Sequence, residues 1–113
     1  MTNLQLLSAL RAVRATLASP QQWTKDAFAR DATGKVCEFL SPKAVCWCLE
    51  GALYNACLTH EQFWTVYTLL VDLITPPELA LSDWQDKPER THADILALLD
   101  RAESTLTEVN AND

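Results

Sequence analysis

A mainly α-helical fold, α+β at its margin, is what this chain predicts: a four-helix small domain with one short β-hairpin near residues 27–39. Three observations lead there. The chain holds only 2 Gly in 113 residues, too few for the many tight turns of sandwiches and barrels. Apolar residues recur at three- and four-residue spacing in several windows, which is helical periodicity. The composition, 49% apolar and 21% charged, suits a packed chain and not a disordered one. The length holds one domain, read here as residues 1–106 followed by a polar tail, 107–113, that frays.

The elements follow in order. Leu6, Leu10, Val13 and Leu17 share a face and predict a first helix over about Asn3–Ala18 with Thr2 as N-cap. Ser19-Pro20 stops it and opens a short turn ending near Trp23. Ala27-Phe28-Ala29-Arg30 and Val36-Cys37-Glu38-Phe39 flank Asp31-Ala32-Thr33-Gly34-Lys35. Two short alternating runs around a Gly-containing loop predict a hairpin, which must lie against the helices to be stable. Ser41-Pro42 repeats the start signal, so a helix apolar nearly all round is expected over Lys43–Cys57. Thr59 with Gln62 is a capping-box pair opening His60–Ile74, which Thr75-Pro76-Pro77 ends. Residues 78–90 read as a loop holding a turn of helix. Thr91 with Asp94 opens the last helix, His92–Leu106, burying Ile95, Leu98 or Leu99, Ala102 and Leu106.

Charge is unevenly placed. Residues 1–43 carry six basic and three acidic groups, residues 44–113 three basic and twelve acidic. No Lys or Arg occurs from Ala44 to Asp86, where Glu50, Glu61, Asp72, Glu78, Asp83 and Asp86 fall. A phosphate backbone needs the opposite field, so direct nucleic-acid binding is not expected. A protein partner with a basic surface is, and Glu61, Asp72, Glu78 and Asp83 are the acidic partner-binding candidates. Met1 to Gln5 carries no basic leader region. The longest greasy run, Phe63 to Ile74, includes Asp72 and is shorter than the roughly 20 residues of a membrane span. Cytoplasmic placement, reduced cysteines and no membrane contact are the expectations.

Cys37, Cys46, Cys48 and Cys57 invite a metal or thiol reading. On the expected helix Cys46 and Cys48 point about 200° apart, and Cys46 and Cys57 lie about 16 Å apart, so no ion is gripped and neither metal nor cofactor is expected. The enzyme alternative takes Cys46 or Cys48 as nucleophile, His92 as base and Asp86 as the group orienting it. Trp84 and Asp86 otherwise pin the loop, Asp86 by accepting backbone N–H bonds in the turn before the last helix. Thr91 and His92 belong to that helix's start. Glu50 shares the expected helix face with Cys46, Leu53 and Cys57, and is expected to pair with Arg101 or Arg90. Gly51 in a helix interior costs roughly 1 kcal/mol relative to Ala, so a close backbone or Trp ring is expected beside it. Phe63, Trp64, Tyr67, Leu70, Val71 and Ile74 make a patch expected to be covered by a two-fold homodimer.

Two segments carry a resemblance. Cys46-Trp47-Cys48-Leu49-Glu50-Gly51-Ala52-Leu53 resembles a C-W-C-x-x-G-A-L pattern. Trp84-Gln85-Asp86, continuing through Arg90-Thr91-His92 to Leu98-Leu99-Asp100-Arg101-Ala102, resembles W-N-D-x-x-x-R-T-H-x-E-V-L-x-L-L-D-R-A. Gln85 stands where Asn is usual and Asp94 where Glu is usual. Together with Trp23 and Ala27 to Asp31, these segments are similar to a small bacterial and phage-borne domain family of unknown function. The resemblance implies a mobile-element setting and brings no established activity with it. The expected function is a non-enzymatic interaction module, in its sharper form an anti-CRISPR-like accessory or inhibitor acting in the host cytoplasm.

Overall fold

The computed structural model describes residues 2–57 and 59–112, with side chains through Thr107. Helix α1 spans Asn3–Thr16, and Thr2 and Gln5 close a reciprocal capping box at its start. A 3-10 turn, Pro20–Gln22, follows the Ser19-Pro20 stop. Three strands come next: β1, Ala29–Asp31; β2, Val36–Cys37; and β3, Ala44–Trp47. Helices α2, Leu49–Ala56; α3, His60–Leu73; α4, Leu81–Gln85; and α5, His92–Asn112, complete the chain. The described residues thus hold five helices, where four were expected; α4 is the turn of helix anticipated in the 78–90 loop.

The hairpin forms as expected, with Ala29 opposite Cys37 and Arg30 opposite Val36. Asp31 shapes its loop by accepting from the Thr33 and Lys35 backbone N–H groups, and Gly34 takes the left-handed φ of 85°, a conformation that costs Gly little. The hairpin is part of a larger antiparallel sheet, ordered β2-β1-β3. This corrects the helix expected from Lys43. Ser41-Pro42 starts a turn, in which Ala44 N donates to the Ser41 carbonyl, and the Ala-Val-Cys-Trp run then pairs with β1. Val, Cys and Trp suit a pleated surface once a partner strand exists, and Ala29 faces Trp47 while Arg30 faces Cys46.

The core gathers one face of each longer helix. Leu10, Val13 and Leu17 of α1 and its C-cap meet Leu49 and Leu53 of α2, Val66 and Leu70 of α3, Leu81 of α4 and Ile95 and Leu99 of α5, all essentially without solvent exposure. Leu98, Ala102 and Leu106 are also buried, as the spacing of the last helix predicted. Ion pairs Arg11–Glu103 and Arg14–Asp100 fix α1 antiparallel to α5 on the solvent side. The last helix continues past Leu106 to Asn112, and Asp113, the end of the expected tail, lies outside the described residues. Within the described residues no helix is long and apolar enough to cross a membrane.

Candidate functional site

The junction between β3 and α2 organises the most featured cleft. The chain leaves β3 at Trp47, whose indole N–H donates to the Phe39 carbonyl at 2.9 Å. Cys48 then acts as N-cap of α2, its Sγ accepting from the Gly51 N–H at 3.2 Å. Because Gly51 lacks a Cβ, the Phe28 carbonyl sits against the first turn of α2 and accepts from the Cys48 N–H at 3.2 Å. A Cβ placed there would stand 2.1 Å from that oxygen. The expected close approach is therefore made by the backbone of Phe28, and not by a Trp ring.

Gln85 closes the floor. Its side chain is 2% exposed, and its carbonyl oxygen accepts from the Trp23 indole N–H at 2.7 Å and the Leu49 N–H at 2.8 Å. Its amide donates to Asp86 Oδ1, which also accepts from the Asp26 N–H at 3.2 Å. One side chain thereby ties α4 to α2 and to the segment entering the sheet, with every buried polar atom satisfied. Asp26 itself takes a φ of 63°, unusual for a residue with a Cβ.

Around these residues lies an open cavity of about 430 Å³, lined by Asp26, Phe28, Val36, Cys48, Glu50, Ser82, Gln85 and Asp86 among others. Three acidic residues, Asp26, Glu50 and Asp86, are among those that line it. Burial, and secondarily the charge on Asp86, holds the Glu50 carboxyl above its ordinary pKa. None of the ion pairs among the described residues involves Asp26, Glu50 or Asp86. Burial pushes the Cys48 thiol up to about 11, only partly offset by the Gly51 and Glu50 N–H groups, so it stays protonated near neutrality.

The other expected residues scatter. Cys46 and Cys48 do not share a helix: Cys46 is in β3, its Sγ 3.9 Å from the Arg30 carbonyl, and Cys48 is the cap. His92 Nε2 is bonded to the Leu17 carbonyl at 2.6 Å, with its ring near Trp23. Asp86 orients Gln85 and Asp26 instead of His92. The hydrogen bonds it accepts come from the side chain of its neighbour Gln85 and from the distant Asp26 N–H, not from backbone N–H groups of the turn before the last helix. Glu50 pairs with neither arginine; Arg90 lies over the Trp84 ring at 4.0 Å and 3.7 Å from Asp94. Trp84 is a buried plug, its N–H donating to Thr75, and Thr91 and Asp94 exchange capping bonds.

Of the residues assigned to a dimer patch, Phe63, Leu70 and Ile74 are buried within this chain, Tyr67 and Val71 partly so, and Trp64 stays 54% exposed. Glu61, Asp72 and Asp83 are exposed, and Glu78 is bound to Lys87 at 3.1 Å. Among the described residues no group of three or more His, Cys, Asp or Glu is placed to hold a metal ion. Sequence reasoning missed Asp26, Phe28, Val36 and the bridging role of Gln85. The one available signal was an amide set between Trp84 and Asp86 in a segment otherwise read as a loop.

No curated protein and no solved structure matches the chain. A family model does, over nearly its whole length, and its match from residue 1 to residue 105 takes in the strand–cap junction, the Gln85 bridge and the start of α5. By that match the chain belongs to a family of unknown function, DUF6197.

Proposed function

We propose that this domain is a non-enzymatic protein-interaction module whose acidic side receives a partner with a basic surface, without direct contact to nucleic acid. The observation that supports this reading is the cleft itself: Asp26, Glu50 and Asp86 line one open cavity, and no ion pair within the described residues neutralises any of them. Fields of one sign steer a partner of the other and discriminate against wrong ones. The exposed carboxylates of Glu61 and Asp72, about three turns apart on nearly one line of α3, extend the same sign. The setting we propose is the cytoplasm, of a host cell where a mobile element carries the gene, with an anti-CRISPR-like inhibitor as the sharper form. Two-fold self-association through α3 is proposed on the exposed Trp64 with the part-buried Tyr67 and Val71, since Phe63 and Leu70 of α3 and its C-cap Ile74 are buried in this chain's own core.

The test is affinity capture from the native host with the tagged domain at about 0.05 and 0.5 M salt, where screening lengths differ several-fold. A partner retained at low salt, released at high salt and lost on charge reversal at Glu61, Asp72 and Asp83 or at Glu50 supports the reading. Capture indifferent to salt and to those reversals defeats it.

A further inference from the structure

We infer that the groove along the hairpin takes an extended segment of the partner protein, in which an aliphatic or aromatic side chain stands within a few residues of an arginine or lysine. This rests on the reading of the chain as an interaction module and names the part of the surface that makes the contact. The groove has two ends that share Phe28 and Val36. At one end Phe28, Val36, Phe39 and Leu40 surround a cavity of about 580 Å³. Val36 is 65% exposed, Leu40 66% and Phe28 46%, an apolar cluster of the kind that marks contact surfaces. At the other end is the 430 Å³ cavity with Asp26, Glu50 and Asp86. Each volume falls within the roughly 300–1,000 Å³ of ligand pockets.

Charge complementarity selects the occupant. The apolar end alone would accept any greasy segment, but the adjoining carboxylates repel an acidic one and reward a cation placed beside it. Burial already raises the cost of ionising Glu50, and an incoming guanidinium or ammonium relieves that cost. A second copy of this chain is a poor occupant, since its own groove carries the same sign. A metal ion is disfavoured too, because no suitable cluster exists among the described residues. The extended form follows from the sheet: β2 is one of its two edges, with β1 as its strand neighbour among the described residues, so a segment lying along the groove finds open backbone groups there.

The experiment is selection of a displayed random-peptide library on the folded domain, followed by affinity measurement of the enriched peptides. Enriched sequences should set Arg or Lys within four residues of an apolar side chain. They should bind at least 10-fold more weakly to Val36→Ser/Leu40→Ser and to Glu50→Lys, while Trp64→Ala on α3 leaves them unchanged. Val36 and Leu40 are largely solvent-exposed, so the double variant keeps its melting temperature, which is checked first. Enriched peptides without the basic–apolar pairing, or equal affinity for the groove variants, overturn the inference. Salt-sensitive capture of a whole partner that survives Val36→Ser/Leu40→Ser overturns the groove while leaving the interaction module standing. Capture indifferent both to salt and to the charge reversals removes the acidic-side reading on which the inference rests.

Discussion

Replacing Gly51 by alanine isolates the contact on which the cleft depends. Helix propensity alone predicts that Gly51→Ala stabilises α2 by up to about 1 kcal/mol. Geometry predicts the opposite. The added Cβ would lie 2.1 Å from the Phe28 carbonyl oxygen, 3.0 Å from its carbon and 3.3 Å from its Cα. These are backbone atoms, so no flexible side chain can swing aside; the strand or the helix must move by about 1 Å to restore an ordinary contact of roughly 3.3 Å. That movement strains the Cys48 N–H bond to Phe28, 3.2 Å long, and leaving a buried donor unmade costs about 1–3 kcal/mol. Overpacking adds a cost of about 1–3 kcal/mol. Set against the propensity gain, the net loss is about 3 kcal/mol, which for a domain of this size lowers Tm by about 12 °C. Gly51→Leu should lose more. Thermal and urea unfolding followed by far-UV circular dichroism measure both variants beside Asn55→Ala, an exposed position on the same helix. A Tm for Gly51→Ala equal to or above that of the parent would refute the argument, since propensity would then have outweighed the contact.

Other outcomes follow from the same geometry. Gln85→Leu removes the acceptor of both Trp23 Nε1 and the Leu49 N–H and should cost about 3 kcal/mol, as two buried donors lose their partner; a urea midpoint unchanged from the parent would contradict the bridge. Cys48, with its thiol pushed up to about 11, should resist alkylation at pH 8 in the folded protein, where roughly one thiol in a thousand is ionised; rapid labelling mapped to Cys48 by mass spectrometry would show the thiol to be activated. Glu50 has its folded pKa raised above the ordinary 4.5, so its contribution to stability is full below that value and is lost as pH rises through the folded pKa. Glu50→Gln should therefore match the parent near pH 4 and exceed it in Tm at pH 7, and a deficit at pH 7 would reverse the sign. Sedimentation equilibrium at micromolar concentration tests the two-fold dimer proposed through α3: a species of about twice the 12.6 kDa chain mass is expected, and a 12.6 kDa species would defeat it.

What the sequence by itself determined is whatever is encoded within a few residues of chain. Thr2 as N-cap, and the pairs Thr59 with Gln62 and Thr91 with Asp94, each announce a helix start, because capping is made by groups within three positions of one another. The three helices they open begin where expected. The hairpin around Gly34 was equally legible, its loop chemistry being local, and so was the tight approach at Gly51, since a glycine in a helix demands a reason. The segment from Ala44 to Trp47 was not. Its apolar residues suit a buried helix or a buried strand, and only the presence of β1 beside it decides the matter, because a strand's hydrogen bonds go to a distant part of the chain. Cys48 gave no warning as a cap, thiols being rare in that role. The cleft belongs wholly to the tertiary structure: Asp26, Glu50 and Asp86 come from three separate segments, and Gln85 joins them only after α4 has packed against α2. Acidic residues far apart in sequence come to line one cavity only when the chain folds, and the raised pKa of Glu50 follows from its burial and from the charge of Asp86 that folding sets near it.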